Sequence, residues 1–273
     1  MGRQAKTIRL IETAREILAE GHPMTVRQVF YQLVSRQVIE NTRGAYQAVS
    51  NALVDARREE LIPWEWIEDR LRRPRHVSMW SGLADFVETC LRSYRRSVWL
   101  TQPNHVEVWL EKDALSGIFE DVLNRYGVTL NVGRGYDGWD SIHNAAIRLD
   151  DEDVVLYFGD FDPSGEDMHR SLIERLASLS CEPEVIKCAL VREDIRRYDL
   201  PPALAKKTDT RARRFIAKHG DVSVELDALP ANVLRGRLRE EVESRMDLDE
   251  LAKVRALERK ERAELLKLLG GVA

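Results

Sequence analysis

Three acidic side chains stand where predicted strands stop. "HVEVWL" runs into Glu111, and "VVLYF" runs through Gly159 into Asp160 and Asp162. Residues two apart on an extended chain point to the same side, so Asp160 and Asp162 address one point. Gly159 and Gly165 relax the backbone around the pair, and Pro163 stiffens the turn. Oxygen donors with no His or Cys among them select a hard cation. Mg²⁺ is the one expected, because it takes a few carboxylates and completes its shell with water and phosphate oxygens. Such an ion supports phosphoryl-transfer chemistry by stabilising charge on a phosphodiester. A D-x-D alone is also ordinary turn chemistry; Glu111 at the end of a second strand adds to it. Glu166 and Asp167 read as first-turn acids of the next helix, favoured by its dipole. His143 and His169 lack ligand spacing and read as surface residues.

The elements that must position these acids alternate. "HVEVWL", "VTLNV", "DVVLYF" and "EVIKCALV" have the pattern of strands. "ALSGIFEDVLNRYG", "WDSIHNAAIRLD" and "GEDMHRSLIERLASL" lie between them and have the pattern of helices. Alternation with short connections predicts an α/β fold with an open, mostly parallel sheet wrapped by helices. Ligands of such sheets bind off the carboxyl ends of the strands, where the strand order reverses. A terminal helix is expected over about 248–269.

The chain before residue 99 has another character. Residues 4–20 carry Ile8, Ile11, Ala14, Ile17 and Leu18 at helical spacing, and "GHP" ends that helix. Thr25 with Gln28 is a capping box that starts a second helix near Val26. "NTRGAYQAVSNALVDARREEL" opens a third. "IPWEWIEDR" alternates as a short strand through Ile62, Trp64, Trp66, Asp69 and Arg70. Three helices and a β element give the order of a winged helix-turn-helix. An Arg-rich loop then leads into a helix over about 81–95. The expected division is 1–98, 99–245 and 246–273.

Composition narrows the class. The chain has 273 residues, 32% of them charged, and a net charge of −4. Residues 1–100 hold 16 Lys and Arg against 12 Asp and Glu; the remainder holds 26 against 34. That asymmetry suits a basic reading head on an acidic, cation-binding body. Arg57, Arg58, Arg70, Arg72, Arg73 and Arg75 flank the expected recognition helix and wing, where they would contact DNA phosphates or form a solvated face. "AKKTDTRARR" (Lys206 to Arg214) reads as a second phosphate clamp or a charged helix start. Cys90, Cys181 and Cys188 form no C-x-x-C pair, which argues against a disulfide framework and a structural zinc site. No apolar run approaches the roughly 18 residues of a membrane span, and the N-terminus reads as an amphipathic helix instead of a signal peptide. The expected compartment is the cytoplasm, at the nucleoid.

"WLEKDAL", "GRGYDGWDSI" and "FGDFDPSGEDM", in that order, resemble a Toprim domain. The "DFDPSG" form is most similar to the DNA-cleaving subunit of topoisomerase VI and to its relative, the meiotic double-strand-break transesterase. The resemblance implies that Glu111, Asp160 and Asp162 bind Mg²⁺. It also implies a nucleophilic tyrosine on the winged helix, in a segment like R-x-x-[YF]-Y. "RQVFYQL" supplies Arg27, Phe30 and Tyr31. On a wheel of about 100° per residue, Tyr31 falls roughly 130° from the centre of the apolar arc and about 40° from Arg27. Tyr31 is thus expected to present its hydroxyl off the core stripe. Arg27 is expected to lower its pKa or to bind the scissile phosphate. The implied function is Mg²⁺-dependent cleavage of double-stranded DNA through a covalent phosphotyrosyl link. The implied assembly is a homodimer that works with a separate ATPase partner, since the chain has no P-loop. Two alternatives stay open: a Toprim nuclease that hydrolyses DNA without the tyrosine, and a non-enzymatic DNA-binding protein.

Overall fold

A computed structural model of the chain describes residues 5–67, 77–133, 138–202 and 212–269. It begins with α1 (Ala5–Gly21), α2 (Val26–Ser35) and α3 (Arg43–Arg58). The expected capping box is formed: the Gln28 N–H donates to Thr25 Oγ1, and the Thr25 N–H donates to Gln28 Oε1 at 2.8 Å. Thr42 caps α3 by accepting from the Ala45 N–H at 3.2 Å. Ala14, Ile17 and Leu18 of α1 pack with Val29 and Leu33 of α2 and with Val49, Leu53 and Ala56 of α3.

The strand expected in "IPWEWIEDR" is replaced by a 3₁₀ turn at Trp64–Trp66 and a single parallel bridge between Met24 and Ile67. Pro63 precedes the turn with φ −58° and has no N–H for a ladder. Ile62 and Ile67 are buried against the helices, and Trp66 stacks flat on His22 with ring centroids 4.8 Å apart. Asp69 and Arg70 lie outside the described residues.

After α4 (Leu83–Ser93) come β1 (Val106–Leu110), α5 (Ser116–Leu123), β2 (Thr129–Val132), α6 (Trp139–Arg148), β3 (Val154–Phe158), α7 (Pro163–Ala177) and β4 (Glu184–Ala189). All pairings are parallel and the order is β2-β1-β3-β4, so the chain is α/β, as expected. Every residue of the two central strands is buried. Val106, Val108 and Leu110 share one face with Val154, Leu156 and Phe158; α5 and the N-terminal helices join that core. Trp109, Val155 and Tyr157 face α6 and α7 on the other side. The period of two on each strand decides which residue meets which layer.

The chain continues through α8 (Arg192–Arg197), α9 (Ala212–His219), a 3₁₀ turn at Leu226–Ala228, α10 (Ala231–Glu243) and α11 (Leu248–Leu269). Phe161 and Val224 exchange backbone hydrogen bonds of 2.9 Å in each direction, which stitches "VELDALP" to the loop after β3. No helix among the described residues is long and apolar enough to cross a membrane.

One apolar core runs from Leu10 to Val254 and includes residues on both sides of position 99. Leu53→Ala, at a fully buried site, is expected to lower stability by about 2–5 kcal/mol. Urea unfolding followed by tryptophan fluorescence should show a lower midpoint and one transition. A second transition would show that the helical and α/β parts unfold separately.

Candidate active site

The strand order reverses between β1 and β3. The crevice beyond the carboxyl ends of these strands is where open α/β sheets take ligands. Glu111 directly follows β1, and Asp160 follows β3 after one glycine. Leu110 lies beside Phe158, and the Glu111 N–H donates to the Phe158 carbonyl at 2.9 Å. Glu111 Oε2 then accepts from the Asp160 N–H at 2.8 Å. Two glycines permit these approaches. A Cβ on Gly159 would lie 2.6 Å from Glu111 Oε2, and one on Gly165 would lie 2.4 Å from the Asp160 carbonyl oxygen.

Asp160 is buried, and its Oδ1 receives the Lys112 ammonium at 2.9 Å and the Leu226 N–H at 2.7 Å. Burial pushes the Glu111 carboxyl up to about 7, aided by the Asp160 charge; the Asp160 amide and Lys112 act against this. Burial also raises Asp160, against the pull of Lys112 and of the Leu226 amide. Asp160 has an ammonium and an amide on one oxygen, whereas Glu111 Oε2 accepts from a neutral amide and Lys112 acts on it less directly. A proton shared by the pair therefore resides on Glu111.

Asp162 is extended, as expected, but it serves as the N-cap of α7: its Oδ1 accepts from the Gly165 N–H at 2.7 Å. Among the described residues no three His, Cys, Asp or Glu side chains are grouped to hold a metal ion. Asp160 already holds an ammonium, and Asp162 is turned onto a helix amide. Glu111 and Asp160 nevertheless suit Mg²⁺ in kind. Both are hard oxygen donors, and a dication would relieve the repulsion that helps raise Glu111. Asp162 would join them only by sharing its capping role.

Three residues that sequence reasoning did not single out complete the cluster. Lys112 Nζ lies 2.9 Å from Asp160 Oδ1, 2.9 Å from Glu225 Oε2 and 2.8 Å from Asp227 Oδ2. Burial alone would lower its pKa, but Asp227, Asp160 and Glu225 raise it well above the usual lysine range. Asp227 has no solvent exposure, and its Oδ1 has no hydrogen-bond partner among the described residues. The signals were present: Lys112 follows Glu111 directly, and Glu225 and Asp227 repeat the two-residue spacing of Asp160 and Asp162.

Arg27 and Tyr31 reach this cluster from α2. The Arg27 guanidinium pairs with Glu225 and lies 3.6 Å from Asp227. Gln32 Nε2 donates to the Ala228 carbonyl at 3.3 Å. Tyr31, expected to present its hydroxyl off the core stripe, is only 8% exposed and belongs to the apolar core that α2 shares with the α/β layer. Arg27 does act to lower its pKa, as expected, but larger effects oppose it. Burial and then the Glu225 charge push the phenol up to about 12, outweighing Arg27 and Lys112.

The other predicted residues lie apart. Arg57 is half-buried, donates to the Leu53 carbonyl and stacks 4.7 Å over Trp64; Arg58 is exposed at the end of α3. Arg70, Arg72, Arg73 and Arg75 lie outside the described residues, as do residues 206–211. Glu166 does more than face a helix dipole, since it pairs with Lys187 at 2.6 Å, and Asp167 pairs with Arg170 at 2.6 Å. His143 is exposed. His169, expected at the surface, is half-buried with its ring 5.1 Å from Tyr157.

A carboxyl whose folded pKa is raised binds its proton more tightly in the folded state, so its contribution to stability falls as pH rises through the folded value. In EDTA, the stability of the protein relative to Glu111→Gln should therefore decline between about pH 4.5 and 7, by on the order of 1–3 kcal/mol. Urea midpoints across that range test this. Parallel curves for the two proteins would place the proton elsewhere.

The chain matches no protein-family model and no curated protein sequence.

Proposed function

We propose that this chain cleaves DNA by Mg²⁺-dependent phosphoryl transfer, with Tyr31 as the nucleophile. On this reading residues 1–98 are a winged-helix DNA-binding domain, 99–245 a Toprim domain and 246–273 a terminal helix. The observation that carries it is convergence. Tyr31 and Arg27 come from α2, Lys112 from the end of β1, and Asp160 from the end of β3. The first three meet at Glu225, and Lys112 also meets Asp160. A buried phenol, two cations and a carboxylate pair at a strand-order reversal form the donor set that transesterification of a phosphodiester requires.

Glu111 and Asp160 would hold the Mg²⁺, which supplies charge stabilisation at the phosphoryl oxygens. Arg27 offers a guanidinium fork and Lys112 a point charge to the same phosphate. Tyr31 Oη bonds to phosphorus as the bond to a deoxyribose oxygen breaks. The phenol proton leaves to water and the departing alkoxide takes one from water. One phosphodiester replaces another, so the link can be reversed to reseal the strand. The cluster is assembled within one chain. A homodimer would cut two strands together, and strand passage would need a separate ATPase partner.

A second reading is favoured by one observation: Tyr31 is buried and its phenol is held protonated. In that reading water replaces Tyr31 as nucleophile and the reaction is hydrolysis at the same carboxylates.

Supercoiled plasmid incubated with protein and Mg²⁺, then digested with protease, separates the two. DNA carrying a covalent adduct that Tyr31→Phe abolishes is the expected result. Free ends that persist in Tyr31→Phe and vanish in Asp160→Ala would establish hydrolysis. Binding without cleavage under any metal would sink both. Independently of cleavage, Mg²⁺ at about 100 times its Kd should stabilise the fold by about 2.7 kcal/mol. This stabilisation should grow from pH 6 to pH 8, as Glu111 ionises, and should be lost in Glu111→Gln.

A further inference from the structure

Among the described residues, Glu225 meets both cations assigned above to the scissile phosphate and acts on the Tyr31 phenol. The Arg27 guanidinium pairs with it, the Lys112 ammonium lies 2.9 Å from it, and its charge acts on the nearby Tyr31 phenol. A planar fork, a point charge and a hydroxyl converging on one anion also form a donor set for a phosphodiester oxygen. We propose that Arg27, Lys112 and Tyr31 form a binding site for one backbone phosphate of DNA, and that Glu225 fills this site in the free protein as an internal anion.

Exposure separates the exchangeable group from the fixed one. The Glu225 side chain is 33% exposed, whereas that of Asp227 is 0% exposed. Asp227 holds both cations independently of Glu225, Lys112 at 2.8 Å and Arg27 at 3.6 Å. If Glu225 swings out to water, the two cations therefore keep a carboxylate that positions them. Arg27 is also half in solvent, at 45% side-chain exposure, so the site can be reached from outside. Lys112 ties it to the carboxylate pair through its 2.9 Å contact with Asp160.

Exchange also answers an electrostatic difficulty. Asp160, Glu225 and Asp227 surround two cations, so adding a phosphate would deepen a negative excess. Replacing the Glu225 carboxylate by a phosphodiester swaps one single negative charge for another and leaves the local balance unchanged. A net acidic body can thus accept a polyanion at this point with less repulsion, because the displaced carboxylate is screened by water.

The inference rests on the reading above only in taking DNA as the ligand. Its test needs no cleavage. A short fluorescein-labelled duplex of about 20 base pairs is titrated in EDTA and followed by anisotropy. Glu225→Gln is expected to bind about 3–10-fold more tightly than the unaltered protein, with a salt dependence steeper by about one phosphate contact. Glu16→Gln, which removes an exposed acid on α1, should change affinity by less than about twofold. In an Arg27→Ala background the gain from Glu225→Gln should disappear. Thermal unfolding of each variant establishes that it is folded.

Unchanged or weaker binding by a folded Glu225→Gln overturns the proposal. So does a gain that persists without Arg27, which would mark a general charge effect. Tighter binding by Glu225→Gln in a protein that never cuts plasmid would uphold the phosphate site and reject the cleavage reading. Absence of duplex binding by every variant rejects both.

Discussion

A buried charge must be compensated at the place where it is buried, and here that constraint centres on one ammonium. Lys112 lies within 2.9 Å of Asp160, Glu225 and Asp227, and Asp227 has no access to water. Taking the ammonium away would leave buried carboxylates uncompensated, a change that costs about 3–5 kcal/mol in buried pairs. The cluster also joins three layers of the molecule. Asp160 ends a central strand, Glu225 and Asp227 lie in the segment stitched to Phe161, and Arg27 and Tyr31 descend from the second helix.

That arrangement explains the state of each reactive group. Glu111 lacks a cation of its own and holds a proton into the neutral range. Tyr31 is buried and feels the Glu225 charge, so its phenol stays protonated. Both groups would become more acidic once positive charge arrives, from a dication at the carboxylates or from a cation released by Glu225. The resting cluster sets three carboxylates against two cations, and the proposed chemistry begins when external charge replaces internal pairs.

Much of the fold was legible because it depends on local patterns. The apolar runs "VEVWL" and "VVLYF" became the two fully buried central strands, and Thr25 with Gln28 closed the capping box. Glu111 and Asp160 were legible because a strand end is visible in sequence and the βα alternation implies where strands point. The supposed wing strand misled because alternation in "IPWEWIEDR" was produced by packing: Ile62 and Ile67 are buried against helices while Trp66 lies on His22. Asp162 is extended as expected, but extended geometry serves an N-cap as readily as a ligand, and the N-cap role could be seen only in the fold.

The amino-acid sequence by itself determined most of the helices, the strands of the sheet and the two acids at the ends of its central strands. Each follows from interactions within a few residues. Only the tertiary structure decided what those groups meet. Lys112 and Asp227 are 115 residues apart, and Arg27 and Glu225 are 198 apart. No local spacing announces such pairs. Whether Tyr31 faces water or a carboxylate, and whether Glu111 carries a proton, depends on burial, which one segment's sequence cannot encode because the covering layer comes from elsewhere in the chain.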